Sequence, residues 1–161
     1  MSERIDTLRT LLQSNHRETF EQLQDLGEPE LSVEVYQAED GPWTAKDILG
    51  HLVDAEQGLY LQLGRLAKGD DPLPADFDVD RWNRRAVPRR RQLSYPELLT
   101  ELESARRKIL TLLNSTDESA LDQTGRRPDM GELSLEALFR WVAGHRSHHV
   151  GDLLKALGRE T

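Results

Sequence analysis

Apolar residues recur every three or four positions along four stretches of this 161-residue chain, the spacing of helices that each bury one stripe against a shared core. In the first, Ile5, Leu8, Leu12, Thr19, Leu23 and Leu26 fall on one side and Gly27 supplies a stop, which predicts a helix over residues 2–26 with His16 on its surface. The second starts at Thr44, where Thr-Ala-Lys-Asp forms a capping box. The Thr44 hydroxyl and the Asp47 carboxylate each satisfy a backbone N–H that the first turn leaves unpaired. Ile48, Leu52, Ala55, Leu59, Leu63 and Leu66 form its stripe, and Gly69 and Pro72 end it. The third starts at Ser94, with Glu97 completing a box, Pro96 in the first turn and Leu93 placed to staple onto Leu98. Its core face is Leu98, Leu102, Ala105, Ile109 and Leu112 or Leu113. The fourth runs from near Ser134 to Gly158.

No stretch combines strand alternation with hairpin chemistry, so an all-α fold is expected, a four-helix bundle. The connections, about 15 to 25 residues long, exceed what a minimal bundle needs and are candidates for short helices or site residues. ADFDVDRWNRRAV, residues 75–87, reads as such a helix. There is no internal repeat and no low-complexity tract.

Length and composition narrow the picture further. A chain of this size supports one core, so residues 1–161 read as a single domain. Hydrophobic residues at 37% exclude a disordered chain, and a net charge of −8 argues against a general nucleic-acid binder, which needs basic faces to neutralise phosphates. Small molecules or proteins are the expected partners. With no cysteine, any metal must be held by His, Asp or Glu. The start MSERIDTLRT lacks a basic segment followed by an apolar run, and no segment reaches membrane-spanning length, so a cytoplasmic location without membrane contact is expected.

GHRSHHVGD, Gly144 to Asp152, places three of the five histidines within five residues. Residues four apart on a helix are offset by only about 40°, so His145 and His149 share a face. On the helical wheel the stripe of Leu135, Leu138, Val142, Leu153, Ala156 and Leu157 has His149 at its centre and His145 within it, while His148 falls at its polar edge. His51 lies at the flank of the second helix's stripe, beside Gly58 and Gln62. Three inward imidazoles on two helices can converge on a divalent ion such as zinc or nickel and leave a coordination position open. The competing reading is a set of hydrogen-bonded core histidines. Arg146 follows His145, so the H-E-x-x-H pattern of zinc proteases is absent.

WTAKDILGHLVDAE at 43–56, DRWN at 80–83 and H-x-x-H-H-x-G at 145–151, in that order and spacing, resemble the DinB-like or YfiT-like metal-dependent proteins, relatives of the metal-binding domain of mycothiol-dependent maleylpyruvate isomerase. The resemblance spans nearly the whole chain. It implies a four-helix bundle of up-down-down-up topology, often dimeric, with His51, His145 and His149 as ligands. It also implies activity as an S-transferase using a low-molecular-weight thiol such as bacillithiol or mycothiol, or as a hydrolase or isomerase. Val150 and Asp152 replace the Arg and Gln common in family members, which puts the groups behind the ligands in question.

A metal-bound water or thiol is the expected nucleophile toward an electrophilic small molecule. Asp54, three residues beyond His51 and about 60° around the helix, is a candidate general base or ligand orienter, or else a solvated aspartate; Glu56 is a weaker candidate. Tyr60 and Trp141 are candidate pocket aromatics or plain core. RWNRRAVPRRR, residues 81–91, carries six arginines; Arg81, Trp82 and Arg84, with Trp141, are the candidates for binding an anionic substrate or thiol, against the alternative of a loop paired with surface acids. The rival from another class is a non-catalytic helical dimer module whose histidines are structural.

Overall fold

The computed structural model of the chain describes residues 2–39 and 41–159. Among these, the elements in chain order are α1 (Glu3–Leu23), α2 (Glu28–Leu31), β1 (Glu34–Ala38), β2 (Gly41–Thr44), α3 (Ala45–Ala67), α4 (Val79–Arg90), α5 (Tyr95–Asn114), a 3-10 turn (Glu118–Asp122), β3 (Thr124–Arg127), β4 (Gly131–Ser134) and α6 (Leu135–Ala156). The helix starts are those that the capping residues dictate. Thr44 and Asp47 exchange backbone and side-chain hydrogen bonds at 2.9 and 3.3 Å, and Ser94 and Glu97 do so at 2.7 and 3.2 Å. Ser2 and Ser134 accept from the N–H groups of Ile5 and Ala137. The short helix expected within residues 75–87 is α4. One end differs: α1 stops at Leu23 because the Tyr95 hydroxyl donates to the Leu23 carbonyl and accepts the Leu26 N–H at 3.1 Å, leaving Leu26 buried beyond the helix.

The absence of strands expected from the sequence is overturned. β1 pairs antiparallel with β2, and β3 with β4. Each hairpin runs directly into a long helix, and the link is the same in both. The first N–H of α3, at Ala45, donates to the Val33 carbonyl, and that of α6, at Leu135, to the Gln123 carbonyl, both at 2.8 Å. GPWT and TGRR are too short and too polar to show alternation; these hairpins hold because they are welded to helix ends. A helix–hairpin–helix unit thus occurs twice, though no sequence repeat marks it.

α1 and α3 each pack against both α5 and α6, so α1 lies diagonally across the bundle from α3, and α5 from α6. Arg4 pairs with Glu136 and Asn15 with Ser147, which makes α1 and α6 parallel. Tyr95 meets the end of α1 while Arg9 reaches Asn114, which makes α5 antiparallel to α1. Ile48, Leu49 and Leu52 at the start of α3 share one apolar cluster with Leu98 and Leu102 at the start of α5 and with Val150, Leu153 and Leu154 at the end of α6. The bundle is therefore up-down-down-up.

The second apolar cluster fills the other end, with Ile5, Leu8, Leu12, Leu63, Ile109 and Leu138 among its members. Between the two lies a polar layer to which all four long helices contribute. Glu56 on α3, Arg106 on α5 and Arg146 on α6 are 0–1% exposed. The Glu56 carboxylate accepts from Arg106 Nε at 3.0 Å and from Arg146 Nε and Nη2 at 2.7 and 2.8 Å. From α1, the Leu12 carbonyl and the Asn15 side chain take Arg106 Nη1, and His16 Nδ1 takes Arg146 Nη1 at 2.7 Å. His16 is thus a half-buried acceptor rather than a surface residue. Burial, aided by Arg146, holds its pKa near 4 and keeps it neutral.

α4 folds back along α3. The approach depends on Gly50, where a Cβ would lie 2.9 Å from that of Arg90. Among the described residues no helix is long and apolar enough to cross a membrane.

Candidate metal centre

Arg146 points to the bundle axis because Glu56 is there to receive it. That orientation sets its neighbours: His145 and His149 lie about 100° and 60° from it, both to the same side. The buried stripe of α6 therefore runs Leu135, Leu138, Phe139, Val142, Ala143, Arg146, Val150, Leu153 and Leu154, with Arg146 near its centre. The helical wheel put His149 at the centre and Ala156 on the stripe. In the structure Ala156 is exposed and both histidines flank the core, facing α3.

There they meet His51. His145 Nε2 lies 3.2 Å from His51 Nε2 and 3.1 Å from His149 Nε2. A neutral imidazole carries one N–H, so three nitrogens aimed at one point cannot all pair with each other. Each can instead give its lone pair to one divalent ion. Ligands at 2.0–2.1 Å from a tetrahedral centre stand about 3.4 Å apart, so this spacing needs only a few tenths of an ångström of expansion. The residues fit a divalent metal of the zinc or nickel type, for which neutral imidazole is a suitable donor.

Burial keeps all three neutral. It lowers His51 to a pKa of about 2 and His145 to about 3, helped by the neighbouring imidazoles, and His149 to about 4, helped by His148. Packing holds two of the rings. Trp141 stacks on His145 at 4.5 Å between centroids, with the Arg127 guanidinium of β3 5.2 Å from the Trp141 ring, and Trp43 of β2 lies 5.5 Å from His51. His149 is held differently: its Nδ1 is 2.9 Å from the Tyr36 hydroxyl of β1, which donates to Asp152.

His51 and His145 open onto a cleft of about 560 Å³. It is lined by residues of α3 from Asp54 to Arg65, by Leu73, Pro74, Phe77 and Trp82, and by Trp141 and Arg127. Asp54 lies in this cleft, but its oxygens accept from Trp82 Nε1 at 3.1 Å and Arg89 Nη2 at 3.2 Å, and His51 Nδ1 is buried without a hydrogen-bond partner. Asp54 therefore ties α3 to α4 and bonds no histidine. Trp82 and Trp141 line the cleft, whereas Arg81 and Arg84 are exposed and do not; Arg65, Arg89 and Arg127 also line it, Arg89 paired with Asp54 and Arg127 with Asp129. Two further arginines of the run are structural. Arg90 is buried against Gly50 and Trp43, and Arg91 grips Asp47 through two 2.9 Å bonds. Tyr60 packs on the core, and His148 is exposed, with Asp152 3.4 Å away.

Sequence reasoning missed Tyr36, Arg146 and the weight of Glu56. Tyr36 sits in a strand that has no periodic signal. A glutamate and an arginine on helix stripes, at 56 and 146, were the available sign of a buried pair.

The chain is a four-helix bundle in which α3 and α6 each follow a hairpin and bring three imidazoles together beside an open cleft. The chain belongs to the DinB superfamily, whose model matches residues 11–153. It is similar to the protein of Oceanobacillus iheyensis named "putative metal-dependent hydrolase", with 25% identity over 122 residues, 76% of this chain and 69% of that one. Its fold is similar to that of YfiT from Bacillus subtilis, described as a probable metal-dependent hydrolase with an unusual four-helix bundle topology. The TM-score is 0.75 at 18% identity, covering 99% of this chain and 91% of that one. It is also similar in fold to mycothiol-dependent maleylpyruvate isomerase, with a TM-score of 0.77 at 13% identity, covering 95% of this chain but only 63% of the isomerase.

Proposed function

We propose that the protein is a metal-dependent enzyme in which His51, His145 and His149 hold a divalent ion, zinc or nickel, and that it transfers a low-molecular-weight thiol such as bacillithiol or mycothiol to an electrophilic small molecule. The observation that carries this reading is the convergence of three Nε2 atoms at the end of an open cleft. A divalent ion there supplies a Lewis acid that lowers the pKa of a bound thiol or water. The apolar side chains of Leu73, Phe77 and Trp82 would hold the substrate body, and Arg65 offers charge to an anionic thiol or product. We take Asp54, whose oxygens accept from Trp82 and Arg89 in the cleft, as the proton acceptor. With no cysteine in the chain, a nucleophilic sulfur has to come from outside.

The names of the hydrolase relatives favour a second reading, hydrolysis by activated water at the same centre. The two part in one assay. Zinc- or nickel-loaded protein is given a model aryl electrophile with and without bacillithiol, and product is followed by absorbance. Transfer predicts turnover that depends on the thiol and is lost in His51→Ala; turnover indifferent to thiol excludes transfer and leaves the hydrolase.

A further inference from the structure

The three histidines are not held alike. His51 Nδ1 and His145 Nδ1 are buried without hydrogen-bond partners, and Trp43 and Trp141 pack on their rings. His149 is the one ligand with a hydrogen bond behind it, and that bond leads on. Tyr36 Oη lies 2.9 Å from His149 Nδ1 and donates to Asp152 Oδ2. The direction of the chain is forced. A carboxylate only accepts, so the single phenolic proton goes to Asp152 and the Tyr36 oxygen is left to accept from His149. His149 must then carry its proton on Nδ1, with the Nε2 lone pair facing His145 and His51.

We infer that Tyr36 and Asp152 are positioning residues that fix His149 as an Nε2 ligand and tune its basicity, through a carboxylate–phenol–imidazole relay. The inference rests on the metal-centre reading. Carboxylates or carbonyls behind a ligating histidine generally fix its tautomer and raise its donor strength; here a tyrosine is interposed. The hairpin explains why. Tyr36 on β1 is the cross-strand partner of Trp43 on β2, and such partners project from the same face. One hairpin face therefore serves two of the three histidines, Tyr36 bonding His149 and Trp43 packing on His51. Asp152, one turn beyond His148 on α6, is drawn to this relay as well as to His148.

The test is zinc affinity, measured by chelator competition on the full chain, for Tyr36→Phe, Asp152→Asn and the double variant, together with the melting temperature of each metal-free protein. Tyr36→Phe is expected to bind zinc about 10- to 100-fold more weakly, the usual loss when such a partner is removed. Because the two residues act in series, the double variant should bind no more weakly than Tyr36→Phe alone. Cobalt-loaded Tyr36→Phe should also show shifted visible bands. If Tyr36→Phe keeps wild-type zinc affinity and merely melts earlier without metal, the tyrosine only ties the hairpin to α6 and the inference fails. It fails equally if the two losses add. Should Tyr36→Phe not fold, the half-exposed Asp152→Asn carries the test, with unchanged affinity overturning the relay. A wild-type protein that binds no zinc would instead sink the metal-centre reading itself.

Discussion

Alanine at His51, His145 or His149 abolishes stoichiometric binding of zinc or nickel, while His148→Ala leaves it intact. That is the largest functional effect expected, because the three Nε2 atoms form a single focus and no carboxylate among the described residues completes a substitute set with any two of them. His148 points away, exposed and near Asp152, and its loss removes no donor. Stability gives a second readout. A ligand at a hundredfold excess over its Kd stabilises the folded state by about 2.7 kcal/mol, which for a chain of this size is about 5–10 °C in Tm. Saturating zinc should raise the wild-type Tm by that amount and move the three ligand variants not at all. A His148→Ala protein that loses zinc, or a His149→Ala protein that keeps it, would refute the assignment.

Glu56→Ala produces the largest loss of stability in the bundle, about 3–5 kcal/mol, because it strands Arg106 and Arg146 as unpaired buried charges. Against a typical total of 5–15 kcal/mol this is a large share, about 6–20 °C of Tm by calorimetry. The metal centre should suffer with it, since Arg146 sets the rotation of α6 that turns His145 and His149 toward α3. The pH dependence has a definite sign. Burial alone would raise the Glu56 pKa, but the two guanidiniums outweigh it and hold it below the ordinary 4.5. Its contribution is therefore fully present above about pH 4.5 and is lost only as pH falls through the lower folded value. A Glu56→Ala variant within 1 kcal/mol of wild type would show that the layer is not the keystone described.

The four long helices were legible because each has a 3.6-residue stripe and a side-chain cap, signals that depend only on neighbours in sequence. His51, His145 and His149 were legible for a related reason: i, i+4 spacing fixes a common face whatever lies opposite. Their depth was not. The wheel treated Arg146 as polar and moved the stripe toward His149, because the partner that permits its burial lies 90 residues earlier, at Glu56. The hairpins escaped for want of length, and with them went Tyr36, the Arg127 support of Trp141 and the placing of Trp43. Arg81 and Arg84 were favoured over Arg89 because α4 has too few apolar residues to reveal which side meets α3. What sequence periodicity could not carry is largely the layer just behind the ligands, where contacts join segments far apart in the chain.

The central claim is that three imidazole nitrogens of one chain share a divalent ion. X-ray absorption on untagged, zinc-loaded protein, with zinc counted per chain, tests it most directly. The account predicts one zinc per chain with three imidazole nitrogens at about 2.0–2.1 Å and one oxygen ligand completing the shell. A shell with fewer than three imidazoles, or no stoichiometric zinc, would contradict it.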